Sequence, residues 1–298
     1  MEEVLFSIII PFHNRSKELE RLLDSVPWKL NLEVIVVDDA SADEEVQQVK
    51  SLQQRYLFEL YHIEKHTAGA ARNEGLRHAH GRWLVFADAD DYFLPEADSL
   101  LMDHADDAHD VVYFKVKSTW SENGKPAYRD VPIERLFAIC ERENSMKALR
   151  ALHTNPWGKM IRRHLVEEKN IRFEEIASAN DAMFSVRCGV EAHWVTRDNR
   201  ALYCITVSEQ SLTSNMTAAH FESNGQARLR VNAYLREHRL EKYQLPVLGY
   251  MLMSWSYGPK YGFRVMKDCY ANGNNPWVDW WRLLMPKRAL HSLKSRPK

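Results

Sequence analysis

Three short runs of buried-strand character, each breaking off into polar or acidic residues, constrain this chain more than any other feature. Residues 6–10 (Phe-Ser-Ile-Ile-Ile) are nearly all apolar and β-branched and stop at Pro11. Residues 32–37 repeat the pattern and run into Asp38-Asp39-Ala40-Ser41. Residues 83–87 repeat it again and run into Asp88-Ala89-Asp90-Asp91. Such runs are the signature of strands covered on both faces. Helix-patterned segments separate them: 16–26 sets Leu19, Leu22, Leu23 and Val26 on one face, and 43–56 is helix-like. A short strand at 58–63 follows, then a helix at 68–79 stopped by Gly81. This alternation predicts an α/β fold with right-handed crossovers and a mostly parallel, Rossmann-like sheet flanked by helices. Sheets of this kind bind ligands outside the carboxyl ends of their strands. Here those ends carry Pro11-Phe12-His13-Asn14, Asp38-Asp39 and the cluster from Asp88 to Asp91.

Beyond residue 110 the pattern is less regular. Residues 111–136 favour further strands with a turn-rich excursion at 120–130, residues 142–152 read as helical, and 219–240 as a charged helix. The last stretch is rich in Tyr, Trp and Met and then turns basic. The expected organisation is a catalytic-type domain at 1–215, divided into 1–110 and 111–215, and a helical C-terminal extension at 216–298. A net charge of −1 provides no field for nucleic acid. The four cysteines, Cys140, Cys188, Cys204 and Cys269, have neither paired nor zinc-finger spacing. They read as buried thiols in a reducing, cytoplasmic setting. The acidic start is unlike a signal peptide, and no window has the run of apolar residues that a membrane span needs.

The strand exits are where chemistry concentrates. Asp88, Asp90 and Asp91 are close enough to resist joint ionisation unless a cation is present, and oxygen-only ligands select Mg²⁺ or Mn²⁺. By itself the cluster is equally an acidic first turn of a helix. Asp38 and Asp39 suit hydrogen bonds to a nucleotide's base or ribose, or an N-cap shared with Ser41. The small-residue stretch His66-Thr67-Ala68-Gly69-Ala70-Ala71-Arg72-Asn73-Glu74-Gly75 suits close backbone approach to an anion at a helix start. Tight packing of that helix on the sheet explains it as well.

Together these segments resemble family 2 of the glycosyltransferases, with its GT-A fold. Ser7 to Asn14 looks like the family's opening strand and loop, and residues 34–41 like its Asp-Asp-x-Ser strand end, with Ala40 where glycine is commoner. Residues 69–75 are similar to its Arg-Asn-x-Gly helix, and Phe86-Ala87-Asp88-Ala89-Asp90-Asp91 to its DxD motif. The resemblance implies that Pro11 and Asp39 line the nucleotide pocket, Arg72 holds base or diphosphate, Asp88 faces the ribose, and Asp90 ligates Mn²⁺ or Mg²⁺. Trp157 and Lys159 resemble the family's Trp-x-Lys segment near the acceptor. Asn180-Asp181 stands where Glu-Asp is usual, which makes Asp181 the candidate base, or else an N-cap for a helix at 182–190. His220 is one histidine of 13; it could reach the metal in this architecture, but a lone histidine is a weak signal and is not counted as a ligand.

The implied reaction is inverting transfer of a sugar, a hexosyl or N-acetylhexosaminyl group, from a nucleotide-diphosphate donor of the UDP-sugar class. The acceptor would be a glycan or lipid-linked hydroxyl in cell-surface polysaccharide or glycolipid synthesis. A sugar-nucleotide nucleotidyltransferase would want a glycine-rich loop after the first strand, and a dinucleotide-binding enzyme a GxGxxG; both are absent. A silent binding module of the same fold stays open at this point. Residues 277–298, with Trp277, Trp280 and Trp281 ahead of a basic stretch, suit peripheral contact with the inner face of an anionic membrane. A packed aromatic helix with a loose basic end fits that segment too.

Overall fold

A computed structural model describes residues 3–208 and 217–274. The chain divides into two compact units, Met1–Ser208 and Glu209–Lys298. In the first unit the opening third follows the expected alternation. β1 (Phe6–Phe12), β2 (Leu32–Asp39), β3 (Glu59–Ile63) and β4 (Trp83–Phe86) are connected through α1 (Ser16–Ser25), α2 (Asp43–Leu52) and α3 (Ala68–His78). β1 lies between β2 and β4, and all these pairings are parallel; Ile8, for instance, sits opposite Val34 on one side and Val85 on the other. Ile8, Ile9, Ile10, Val36, Val37 and Leu84 are fully buried, which is why the runs in β1, β2 and β4 are nearly continuous in apolar residues rather than alternating.

The second half of the unit makes the sheet mixed. β5 (Tyr92–Phe93), α4 (Ala97–Asp103), β6 (Val111–Trp120), α5 (Val131–Glu143), α6 (Lys147–Leu152), β7 (Lys159–Arg162), α7 (Arg163–Glu168), α8 (Ala182–Glu191) and β8 (Val195–Val207) follow in order. The strand order among the described residues is β3-β2-β1-β4-β7-β6-β8-β5. β7 runs antiparallel to both β4 and β6, and β5 antiparallel to β8. The expected strand character of 111–136 gives way to helix at Val131. Pro132 stands in the first turn of α5, and Ile133, Leu136, Phe137 and Cys140 make one buried face. The helix expected at 142–152 is interrupted because Asn144 takes the left-handed conformation that closes α5.

The second unit, over its described part, holds α9 (Ala218–Glu237), α10 (Leu248–Ser254) and α11 (Pro259–Ala271). Phe221, Leu229, Val247, Tyr250, Met251, Val265 and Cys269 form its own apolar core. All four cysteines are free and buried. No described helix is long and apolar enough to cross a membrane. Residues 277–298 lie outside the described part of the chain.

Candidate active site

The carboxyl ends of β1, β2 and β4 meet at one rim, and the loops there are tied together by short polar contacts. His13 Nδ1 lies 2.7 Å from the Asp39 carbonyl oxygen, the Asn14 amide donates to Ser41 Oγ, and Asn14 Oδ1 accepts from the Ala42 amide at 2.8 Å. Ala40, between these contacts, has a φ of 58°. That is the left-handed region where a side chain costs about 1 kcal/mol relative to glycine, so the glycine commoner at this place is the residue the turn favours. Asp39 is buried. Its Oδ1 accepts from the amides of Lys65 (2.7 Å) and His66 (2.8 Å), and its Oδ2 from that of Thr67 (2.6 Å). Three of roughly four acceptor positions are therefore spent on the loop leading into α3. Asp38 accepts from Ser41 N and meets His62 Nδ1 at 2.7 Å, and that hydrogen bond raises the His62 pKa. Pro11 lies in β1 opposite Val37, half-buried at the same edge.

The acidic cluster after β4 is divided by function of place. Asp91 is interior, and its Oδ1 accepts from the Thr206 amide at 2.7 Å, pinning the chain to β8. Burial and the neighbouring carboxylates push its pKa well up. Asp88 and Asp90 face outward, each with about a third of its side chain exposed (31% and 36%). Asp90 Oδ2 pairs with Arg15 at 3.0 Å, while Arg21 donates to the Asp90 carbonyl and to Thr206 Oγ1. Partial burial and then Asp88 raise the Asp90 pKa, and Arg15 opposes them. The Asp88 amide donates to the hydroxyl of Tyr203 at 2.8 Å. Arg15, Arg21 and Tyr203 are site residues that the sequence reading did not single out.

α3 acts as a clamp. A Cβ on Gly75 would stand 2.4 Å from Ile9 Cγ2, and one on Gly69 would stand 2.1 Å from the Glu174 carbonyl oxygen. The small residues thus serve close packing, the plainer of their two readings. Asn73 exchanges two hydrogen bonds with the backbone of Phe173, at 3.0 and 2.9 Å. Arg72 is buried, lies 5.4 Å over the Phe173 ring, and donates to Asn180 Oδ1 at 3.0 Å and to Asp88 Oδ1 at 2.6 Å. Its guanidinium joins the exit of β4 to the segment that carries Asp181, so it orients a carboxylate here. Asp181 occupies the N-cap position of α8, yet its side chain makes no capping hydrogen bond. Desolvation raises its pKa, and Arg72 and Lys159 pull the other way. A partly desolvated carboxylate that is not engaged in capping is well suited to accept a proton.

Trp157 and Lys159, expected on the acceptor side, lie inside. Trp157 packs between His153 and Tyr203. Lys159 is 1% exposed, donates to the His153 carbonyl at 2.7 Å, and lies 5.5 Å over the Tyr113 ring. Burial lowers its pKa to about 7. His153 is fully buried with neither ring nitrogen paired among the described residues, and burial followed by the Lys159 charge holds it neutral. Replacing Lys159 by methionine should stabilise the fold by on the order of a few kcal/mol near pH 6. Between the folded pKa and the ordinary lysine value the unfolded chain binds the extra proton, so wild-type stability climbs with pH across that window. The melting-temperature gap should consequently narrow towards pH 9; a gap independent of pH would refute a buried ammonium.

The chemistry of the rim fits a divalent cation. Asp88 and Asp90 each engage an arginine through one oxygen and are partly open to solvent, and burial, then the neighbouring Asp88 carboxylate, raises the Asp90 pKa. Mg²⁺ and Mn²⁺ sites of this type use one or two carboxylates and complete their shell with water and phosphate oxygens. Asp91, committed to β8, is not available. Among the described residues no third carboxylate, histidine or cysteine gathers with them.

Known proteins resemble this chain in sequence and in fold. The chain is 27% identical over 256 residues to a putative glycosyltransferase, EpsH, of Bacillus subtilis, covering 82% of this chain and 73% of that one. It is 30% identical over 213 residues to the poly(ribitol-phosphate) beta-N-acetylglucosaminyltransferase TarS of Staphylococcus aureus, covering 68% of this chain but only 36% of TarS. In three dimensions it superposes on residues 1–349 of TarS in complex with UDP-GlcNAc with a TM-score of 0.61 at 20% identity, covering 98% of this chain and 76% of that one. A mannosyltransferase from Pyrobaculum calidifontis in complex with GDP-Man and Mn²⁺ gives 0.58 at 17% identity, with 97% and 80% covered. These likenesses establish the GT-A fold. The family model described as glycosyl transferase family 2 matches residues 7–168, more than half of the sequence, and the chain belongs to that family.

Proposed function

We propose that this protein is an inverting, metal-dependent glycosyltransferase that moves a hexosyl or N-acetylhexosaminyl group from a UDP-sugar to a hydroxyl acceptor in cell-surface polysaccharide or glycolipid synthesis. The observation that carries the reading is the Arg72 bridge, which ties Asp88 and the Asp181 segment to one rim. Asp90 would hold the divalent ion, with Asp88 beside it towards the ribose, and the ion when bound supplies Lewis-acid stabilisation to the departing diphosphate. Asp39 and Pro11 would bound the nucleotide pocket, the carboxylate of Asp39 acting chiefly by fixing the loop at residues 65–67. Asp181 would take the acceptor proton as the hydroxyl attacks, giving inversion at the anomeric carbon. Arg72 holds that base segment in place, and Trp157 and Lys159 support it from beneath. The UDP-GlcNAc complex of TarS and the GDP-Man and Mn²⁺ complex of the Pyrobaculum calidifontis mannosyltransferase support a nucleotide-sugar donor and the cation. We place the activity in the cytoplasm with peripheral contact at the inner membrane face through residues 277–298, where a lipid-linked acceptor would be met.

Calorimetry of UDP binding with and without Mn²⁺, followed by a thermal-shift screen of nucleotide-sugars, tests the reading. UDP should bind at least about tenfold more tightly with the metal, and one donor should raise the melting temperature beyond UDP alone. Metal-independent binding with no transfer or donor hydrolysis would make the protein a silent binding module instead.

A further inference from the structure

The second unit ends its described part in a helix with two contrasting faces. α11 buries Gly262, Val265 and Cys269, and sets Lys260, Phe263, Arg264, Lys267 and Tyr270 outward at helical spacing. Phe263 is 58% exposed and Tyr270 51%. Trp255, just ahead of the helix and itself substantially exposed, meets Phe263 edge-on at 4.9 Å. Single exposed aromatic residues are ordinary, but rings in contact on the outward face of an amphipathic helix form a patch. Arg264 is paired with Glu222 at 2.7 Å. Lys260 and Lys267 have no acidic partner among the described residues; the acids beside the stripe are Glu222, taken up by Arg264, and the half-exposed Asp268 next to Lys267.

Charge decides what such a patch can meet. A second copy would bring the same lysines against themselves. The remainder of the chain cannot offset them either, because it carries Arg282, Lys287, Arg288, Lys294, Arg296 and Lys298, with no acid after Asp279. A surface that is anionic outside and apolar within satisfies both halves of the face: rings enter the headgroup boundary while lysine stems lie along it with their ammonium groups at the phosphates. We propose that the outward face of α11, with Trp255, is an interfacial contact for an anionic lipid bilayer. It is formed wholly by described residues, is distinct from residues 277–298, and does not depend on the transferase reading.

The test uses the full chain and sedimentation with vesicles of phosphatidylcholine containing about a third phosphatidylglycerol, against phosphatidylcholine alone. The wild type should pellet with the anionic vesicles and be released by salt. Lys260→Gln with Lys267→Gln should lower the partition coefficient roughly twenty-five-fold, since each basic residue near an anionic surface contributes about a fivefold change. Phe263→Ser with Tyr270→Ser should lower it as well, at an unchanged melting temperature. A chain lacking residues 277–298 should retain binding that these substitutions then abolish. Equal partition onto both vesicle types, or both double variants partitioning like the wild type, would overturn the proposal. So would a wild-type dimer by size exclusion that these variants disperse, which would make the face a contact between copies. UDP binding should persist in every variant, so loss of vesicle binding leaves the transferase reading intact.

Discussion

Asp181→Asn should bind UDP with Mn²⁺ as tightly as the wild type, within about twofold, and turn over roughly a hundred- to ten-thousandfold more slowly, the usual contribution of a general base. The substitution removes a proton acceptor while keeping shape and polarity, and the Arg72 contacts to Asn180 and Asp88 do not involve it. Two further consequences follow from desolvation having raised the Asp181 pKa. The acid limb of wild-type kcat/KM should lie above the ordinary aspartate range, since activity grows as the base ionises, and the variant should lack that limb. At neutral pH the folded wild type bears the cost of a partly desolvated carboxylate, which a group with a raised folded pKa escapes only on protonation as pH falls. The asparagine variant should therefore melt higher. Wild-type kinetics in Asp181→Asn would remove the residue from the reaction altogether.

Asp90→Ala is expected to have the larger effect on donor binding. Its UDP affinity with Mn²⁺ should fall to the metal-free value of the wild type. Its kcat/KM should fall by about a thousandfold or more, because the stabilisation a divalent ion gives a leaving diphosphate amounts to several kcal/mol. The fold should hardly notice. The Arg15–Asp90 pair is about one-third exposed on both sides, and ion pairs in that setting contribute about 0–1 kcal/mol. Titration calorimetry and a thermal melt together separate the two effects. Retained metal-dependent UDP binding in Asp90→Ala would mean that the cation, if one is used, is held elsewhere.

The runs in β1, β2 and β4 were legible because burial on both faces leaves a strand few polar positions, and each run stopped where the rim begins. The acids at those exits were legible for the same reason: a charge at the end of a buried strand must face solvent or a partner. What they touch was not. Arg15 and Arg21 reach Asp90 from 75 and 69 residues away, and Tyr203 reaches Asp88 from 115. No local pattern encodes pairings that only the closed sheet creates. Arg72, expected at the nucleotide, donates here to Asn180 and Asp88, and Lys159 lies under the rim, where the His153 carbonyl accepts from an ammonium whose burial no local pattern announces. The helix at Val131 could have been read from Pro132 and the spacing of Ile133, Leu136, Phe137 and Cys140, had the strand-like Val111–Trp120 run not been extended through it.

Where the family usually places a glutamate, position 180 holds an uncharged amide that still accepts from Arg72. Of the two groups to which Arg72 donates, only Asp88 is a carboxylate, and among the influences that lower the Asp181 pKa Arg72 is the foremost. A glutamate there would drain that positive field and leave a more basic carboxylate behind. In the reaction we propose, the amide at position 180 leaves Arg72 to favour the ionised form of the acceptor one residue downstream, so the setting of that carboxylate is decided beside it and not by it.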